Sequence, residues 1–230
     1  MRNGPTSVMM FAAGFGTRMK HLTQHQPKPL VKVAGTALID HALTLAVDIE
    51  PETIVANTHY LPHLLEEHLR DGPVTTLRET PDILDTGGGL RNALPLLGSD
   101  PVFTMNTDAV WTGPNPLNCA AAAWNPDKMD GLLVCVPVAN TTGYTGEGDF
   151  AMDHNGVLSR GKGVVYGGVQ IIKTNKLHAV TKDAFSLNLL WDEMLAQGRL
   201  FGVLHTGGWC DVGHPAGVGL AEAMLERSHV

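Results

Sequence analysis

The feature that most constrains this chain is an alternation. Short apolar runs end in glycine, asparagine or aspartate, and most are followed by a helical stretch of about ten residues. Ser7–Phe11 is the first run, closed by Ala12-Ala13-Gly14-Phe15-Gly16. Residues 38–47 follow, with Leu38, His41, Ala42, Leu45 and Ala46 on one helical face. Residues 53–57 form a second run, 62–70 a helix, 74–77 a third run, 90–97 a short helix after Gly87-Gly88-Gly89, and 101–106 a fourth run. Buried strands alternating with helices predict a mostly parallel sheet covered on both faces. Residues 19–32 contain Pro27 and Pro29 and cannot be one helix, so an ordered loop or a broken short helix is expected there.

The second half changes texture. The pattern predicts a strand at 132–138, a Gly/Thr-rich loop at 140–148 and a hairpin turning at Asp153–Gly156. Beyond it come a strand at 164–172 interrupted by Gly167-Gly168, a helix at 187–195, a last strand at 201–205 and a closing helix at 215–226. No linker or repeat divides the 230 residues, so one α/β domain with a small β-rich insertion is expected.

Charge is unevenly divided. The chain carries 16 basic and 23 acidic residues, a net −7, which argues against a general nucleic-acid binder. The first acidic residue is Asp40; the residues before it carry +5 (Arg2, Arg18, Lys20, Lys28, Lys32) and those from it onward −12. An anion handled by this chain is expected at the N-terminal segment. Cys119, Cys135 and Cys210 are scattered and odd in number, which suits a reducing compartment and excludes a cysteine-only zinc site. No apolar run reaches membrane length, and glycines and Arg18 interrupt the opening too early for a secretory signal. A cytoplasmic location without membrane contact is expected. His21 and His25, like His59 and His63, have metal-compatible spacing but form no HExxH, and packing or surface roles explain them better.

Three motifs carry chemistry. The glycine turn after the first strand is neither GxGxxG, since position 19 is Met19, nor a P-loop. Its backbone N–H groups can still face phosphate oxygens, with Arg18 and a proline-flanked Lys28 adding charge. Gly87–Gly89 suits either a flexible connection or a close approach by a flat group. Asp108 ends a strand, where parallel sheets bind ligands, and Asp211 lies in Gly208-Trp209-Cys210-Asp211-Val212-Gly213. Two aspartates with phosphate oxygens and waters suffice for Mg²⁺.

The string AAGFGTRMKHLTQHQPKPLVKVAGTALIDHAL resembles the signature of the sugar-1-phosphate nucleotidyltransferases, and the whole chain fits the short form of that family. The resemblance is greatest to its bacterial branch that uses UTP and N-acetylmuramic acid α-1-phosphate. It implies a three-layer, Rossmann-like sheet of the nucleotide-diphospho-sugar transferase type, with residues 1–110 mainly the nucleotide half and 111–230 mainly the sugar-phosphate half. The implied reaction joins a nucleoside triphosphate to a sugar 1-phosphate and releases pyrophosphate.

By the same resemblance Gly14, Gly16, Thr17 and Arg18 wrap the triphosphate, Ala12 and Ala13 bind nucleotide beside them, and Lys28 contacts phosphate near the reacting centre. Glu79, Gly87, Gly88 and Asn106 add nucleotide contacts, and Asp85 stands where relatives often carry Glu. Asp108 and Asp211 hold Mg²⁺ and complete the catalytic set with Arg18 and Lys28. Asn140, Asp149, Tyr166 and Gly168 border the sugar. Two positions depart from the family pattern: Thr107 replaces a glycine, and Ser186 replaces a lysine that neutralises the sugar phosphate, a role open to Lys182 or another cation. The short form is compatible with a monomer. Transfer from GTP, CTP or dTTP to another hexose 1-phosphate, or a non-catalytic nucleotide-binding regulator, are the alternatives.

Overall fold

The structure, a computed structural model, describes residues 4–98 and 100–228. Arg2 of the basic segment lies outside them. The chain threads β1 (Ser7–Phe11), two 3-10 turns (Thr17–Thr23 and Lys28–Leu30), β2 (Lys32–Val33), β3 (Thr36–Ala37), α1 (Leu38–Asp48), β4 (Thr53–Thr58), α2 (Pro62–Leu69), β5 (Val74–Arg78), α3 (Asp85–Leu97) and β6 (Val102–Asn106). It continues through β7 (Ala109–Trp111), α4 (Pro116–Ala123), β8 (Gly131–Pro137), β9 (Thr141–Thr142), β10 (Phe150–Met152), β11 (Leu158–Arg160), β12 (Val164–Ile172), α5 (Asn188–Ala196), β13 (Leu200–Leu204), β14 (Trp209–Asp211) and α6 (Pro215–Ser228).

The central strands lie in the order β5-β4-β1-β6-β12-β8-β13, and only β12 runs against the rest. The mostly parallel sheet expected from the sequence is present. Successive side chains of a strand point to opposite faces, and here each face is apolar. Val8 and Met10 of β1 join Ile54, Phe103 and Leu132 under α1, α2 and α4. Met9 joins Val55, Val102 and Leu133 under α3 and α5. The hairpin of β10 and β11 extends the sheet where Phe150 pairs with Val164. This is the expected β-rich insertion.

A second, three-stranded sheet, β7-β14-β9, positions the site. Val110, Cys210 and Val212 bury against Ala221 and Met224 of α6 and against Met19, Val31 and Val33. The basic N-terminal loop is thereby packed beside the strand that carries Asp211. Among the described residues, no helix is long and apolar enough to cross a membrane.

Besides the short strands, two helices differ from expectation. The glycine triplet does not precede α3 but lies in its first turns. Helix α4 had no counterpart in the sequence reading. It is capped by Asn115, whose side chain accepts from Leu117 N at 2.9 Å, and Pro116 stands at its first helical position.

Candidate active site

The loops that follow β1, β5 and β6 line a cleft of about 260 Å³. A second cavity of about 350 Å³ adjoins it and shares Phe11, Asp85, Thr86 and Asn106. Ala12, Ala13, Gly14, Lys28, Asn106 and Asp108 line the first; Asp149 and Tyr166 line the second.

The glycine loop is held from behind. Ala12 N donates to Asn57 Oδ1 at 2.8 Å, and Thr23 Oγ1 donates to Gly16 O at 3.0 Å. Gly16 adopts φ +63°, and a Cβ there would lie 2.8 Å from Lys28 Cβ, so glycine is required on both counts. A Cβ on Gly14 would meet no protein atom, because that position faces the cleft. Thr17 and Arg18 are exposed at the start of the first 3-10 turn.

Lys28 has only 11% of its side chain exposed, and its Nζ donates to Asp108 Oδ2 at 2.7 Å. Asp108 sits in the turn between β6 and β7. Thr107 steadies that turn by donating from Oγ1 to Phe11 O at 2.8 Å, which gives the departure from glycine a structural role. Asp211 pairs with Ala109 across β14 and β7, and Val212 N donates to Asp108 O at 2.8 Å. The two aspartates, 103 positions apart, are thus brought side by side by backbone pairing. Burial pushes the Asp211 carboxyl above the ordinary carboxylate value and the charge of Asp108 adds to the rise; Lys28, Arg18 and His214 act against it.

No group of three or more His, Cys, Asp or Glu side chains among the described residues could hold a metal ion. A cage made wholly of protein is therefore not what these residues provide. They fit an ion such as Mg²⁺, which takes one or two carboxylates and completes its shell with water and phosphate oxygens. Gly213 leaves room for it: a Cβ there would lie 2.7 Å from Asp211 Oδ2.

Several residues expected to touch ligands do not line either cavity. Glu79 is 1% exposed and lies behind the cleft wall. Its Oε1 accepts from Asn57 Nδ2 and its Oε2 from Leu84 N, both at 2.8 Å, so it ties the front of α3 to the residue that holds the glycine loop. Gly87 and Gly88 also turn away. Both amides donate to Phe185 O, and added Cβ atoms would lie 2.4 Å from Phe185 Cε2 and 2.3 Å from Asp183 O. Asp85 and Thr86 face the cavities instead.

Asn140 lines neither cavity; its Nδ2 donates to Thr206 O and Gly207 O and fixes the approach to β14. Gly168, at φ +92°, packs under Asn106, where a Cβ would lie 2.9 Å from Asn106 Nδ2, and so supports that wall from beneath. Asp149 Oδ2 accepts from Tyr166 N at 2.9 Å, and the Tyr166 ring meets Trp191 edge-on at 4.9 Å. Burial raises the Tyr166 hydroxyl pKa.

Sequence reasoning missed Thr86, Asn57, Arg160, Asn188 and Gln170 as wall residues. Apart from Thr86, which opens the glycine-triplet motif, none belongs to a motif. Asn57 had one signal, a polar residue ending an apolar run, and it is 4% exposed.

The chain is similar to known proteins in both sequence and fold. The model of the MobA-like NTP transferase domain matches residues 8–215. An N-acetylmuramate alpha-1-phosphate uridylyltransferase of Caulobacter vibrioides is 40% identical over 99% of this chain and all of its own length. One of Neisseria meningitidis is 30% identical over 94% of this chain and 97% of its own. In fold, the chain is similar to the crystal structure of HddC from Yersinia pseudotuberculosis in complex with GMP-PN, with a TM-score of 0.75 at 19% identity, covering 95% of this chain and 99% of that one. The chain belongs to the MobA-like NTP transferase domain family and is a sugar-1-phosphate nucleotidyltransferase.

Proposed function

We propose that the chain transfers a uridylyl group from UTP to N-acetylmuramic acid α-1-phosphate and releases pyrophosphate. One observation carries the reading. Lys28, Asp108 and Asp211 come from three separate segments and converge beside a cleft walled by the glycine loop. The relatives that match over nearly the whole chain bear the name of that activity. The segment up to residue 110 is the nucleotide side, and the 350 Å³ cavity is the acceptor side.

A phosphate monoester dianion is already a nucleophile, so no serine, cysteine or histidine has to be activated. An oxygen of the acceptor phosphate attacks the α-phosphorus in line as the bond to the leaving pyrophosphate breaks. The amides around Gly14 and Gly16 orient the triphosphate, Arg18 holds the departing phosphates, and Lys28 meets the charge that builds at the centre. Asp108 and Asp211 are the residues that would hold Mg²⁺, which when bound neutralises phosphate charge.

The test is pyrophosphate release with Mg²⁺ across four nucleoside triphosphates and several sugar 1-phosphates. The fastest release is expected with UTP and the muramic acid phosphate. Turnover with GTP, CTP or dTTP and another hexose 1-phosphate would move the assignment to that pair, and no release from any pair would leave a nucleotide-binding regulator. Asp108→Asn and Asp211→Asn should each cut kcat by at least about 100-fold with far-UV circular dichroism unchanged. Near-normal turnover in both would remove the metal role from these aspartates.

A further inference from the structure

The acceptor cavity has one basic side chain on its wall, Arg160 of β11. Lys182 lines neither cavity, and among the described residues only its carbonyl is engaged, by Arg91. Ser186, which stands where the family pattern has lysine, is on the same wall as Arg160. The two are joined through one amide: Arg160 Nη2 donates to Asn188 Oδ1 at 2.7 Å, and Asn188 Nδ2 donates to Ser186 Oγ at 2.9 Å. The guanidinium is held flat as well. It lies 4.9 Å from the Phe150 ring centroid and 5.8 Å from that of Trp191, and Asp192 accepts from its edge at 2.8 Å.

This arrangement leaves two donors unused. Arg160 Nη1 has no hydrogen-bond partner among the described residues. Ser186 Oγ accepts from Asn188 N and Asn188 Nδ2, which leaves its own hydrogen to give. A fixed cation and a hydroxyl donor lining a cavity of about 350 Å³, whose wall also carries Asp85 and Asp149, form a receptor for a two-oxygen anion. The acceptor phosphate is needed at Lys28 and the aspartates, so this second anion site serves another group.

We propose that Arg160, oriented by Asn188 and set beside Ser186, recognises a carboxylate carried by the acceptor sugar and so selects acidic sugar 1-phosphates over neutral ones. The inference rests on the acceptor reading above. It also accounts for the serine: a charge fixed on an aromatic platform is already present, and a lysine at 186 would set a second cation beside it.

The test compares N-acetylmuramic acid α-1-phosphate with N-acetylglucosamine α-1-phosphate, the same sugar without the lactyl carboxylate, in the wild type, Arg160→Gln and Arg160→Lys. Arg160→Gln should shift the ratio of acceptor KM values toward the neutral sugar by at least about tenfold. Arg160→Lys should recover part of that shift. Arg160 is 44% exposed at its side chain, so the fold should tolerate both changes. An unchanged ratio in Arg160→Gln, with the wild type active, overturns the proposal and leaves the transfer reading standing. If the wild type transfers to neither sugar, the transfer reading fails, and calorimetric binding of the two sugar phosphates decides for Arg160. A preference for the acidic sugar that disappears in Arg160→Gln supports the proposal, and one that persists, or is absent from the wild type, overturns it.

Discussion

Two glycines of the same site answer to different forces. Gly89 is locked by the protein itself: a Cβ would lie 2.7 Å from Glu79 Oε1 and 2.9 Å from Asn57 Nδ2, inside a buried hydrogen bond. Gly89→Ala should therefore cost about 1–3 kcal/mol, read as a fall of several degrees in Tm. Gly14 faces open space, so Gly14→Ala should leave stability within about 0.5 kcal/mol and instead raise the KM for nucleotide. Thermal melts and nucleotide titrations of both variants check the pair. A Tm loss in Gly14→Ala, or none in Gly89→Ala, would reverse the assignment of scaffold and contact. From sequence these glycines look alike, because what separates them is the neighbour that only the fold supplies.

At the scale of elements, strand edges away from the cleft are joined by charge. Asp130, at the entry to β8, accepts from Lys173 Nζ after β12 and from Arg199 Nε before β13, each at 2.9 Å. Burial would raise its carboxyl pKa, but the hydrogen bonds and charges of Arg199 and Lys173 prevail and hold it below the ordinary carboxylate value. A depressed folded pKa contributes stability that is fully present above the unfolded value near 4 and lost as pH falls through the folded one. Asp130→Asn should thus destabilise by about 1–3 kcal/mol at pH 7, and the gap from wild type should close below about pH 4. Urea unfolding at several pH values measures it; a gap independent of pH would mean that packing, not charge, joins these strands.

Most elements were legible because their signals are local. The apolar runs of β1, β4, β5 and β6 and the faces of α1 and α2 sit within a residue or two of expectation. The start of α3 was not legible: Gly87–Gly89 disfavour a helix by themselves, and contacts with Phe185, Asp183 and Glu79 override that preference. The short strands β7 and β14 carry too few residues for a period, yet they bring Asp108 and Asp211 together. The site was legible as a set of residue types. Which members line the cavities was not, and Glu79, Gly87, Gly88 and Asn140 show the difference.

For the whole molecule, the useful charge is the division at Asp40 rather than the net −7. The basic opening segment and the acidic remainder meet where Lys28 reaches Asp108 and, with Arg18, lowers the repulsion felt by Asp211. The Lys28 ammonium lies 2.7 Å from Asp108 Oδ2, an oxygen that Mg²⁺ would use in the proposed metal site. Removing it leaves two adjacent carboxylates with less compensation, so Lys28→Met should bind Mg²⁺ at least about tenfold more tightly in the absence of nucleotide. The same variant should lose turnover if Lys28 meets the reacting phosphate as proposed, because that charge has gone. Affinity for the ion and catalysis are thereby pulled in opposite directions by one substitution, which no general loss of structure would produce. Magnesium titration followed by calorimetry, beside a pyrophosphate-release assay, separates the two. Weaker Mg²⁺ binding in Lys28→Met would mean that the ion is held somewhere other than between Asp108 and Asp211.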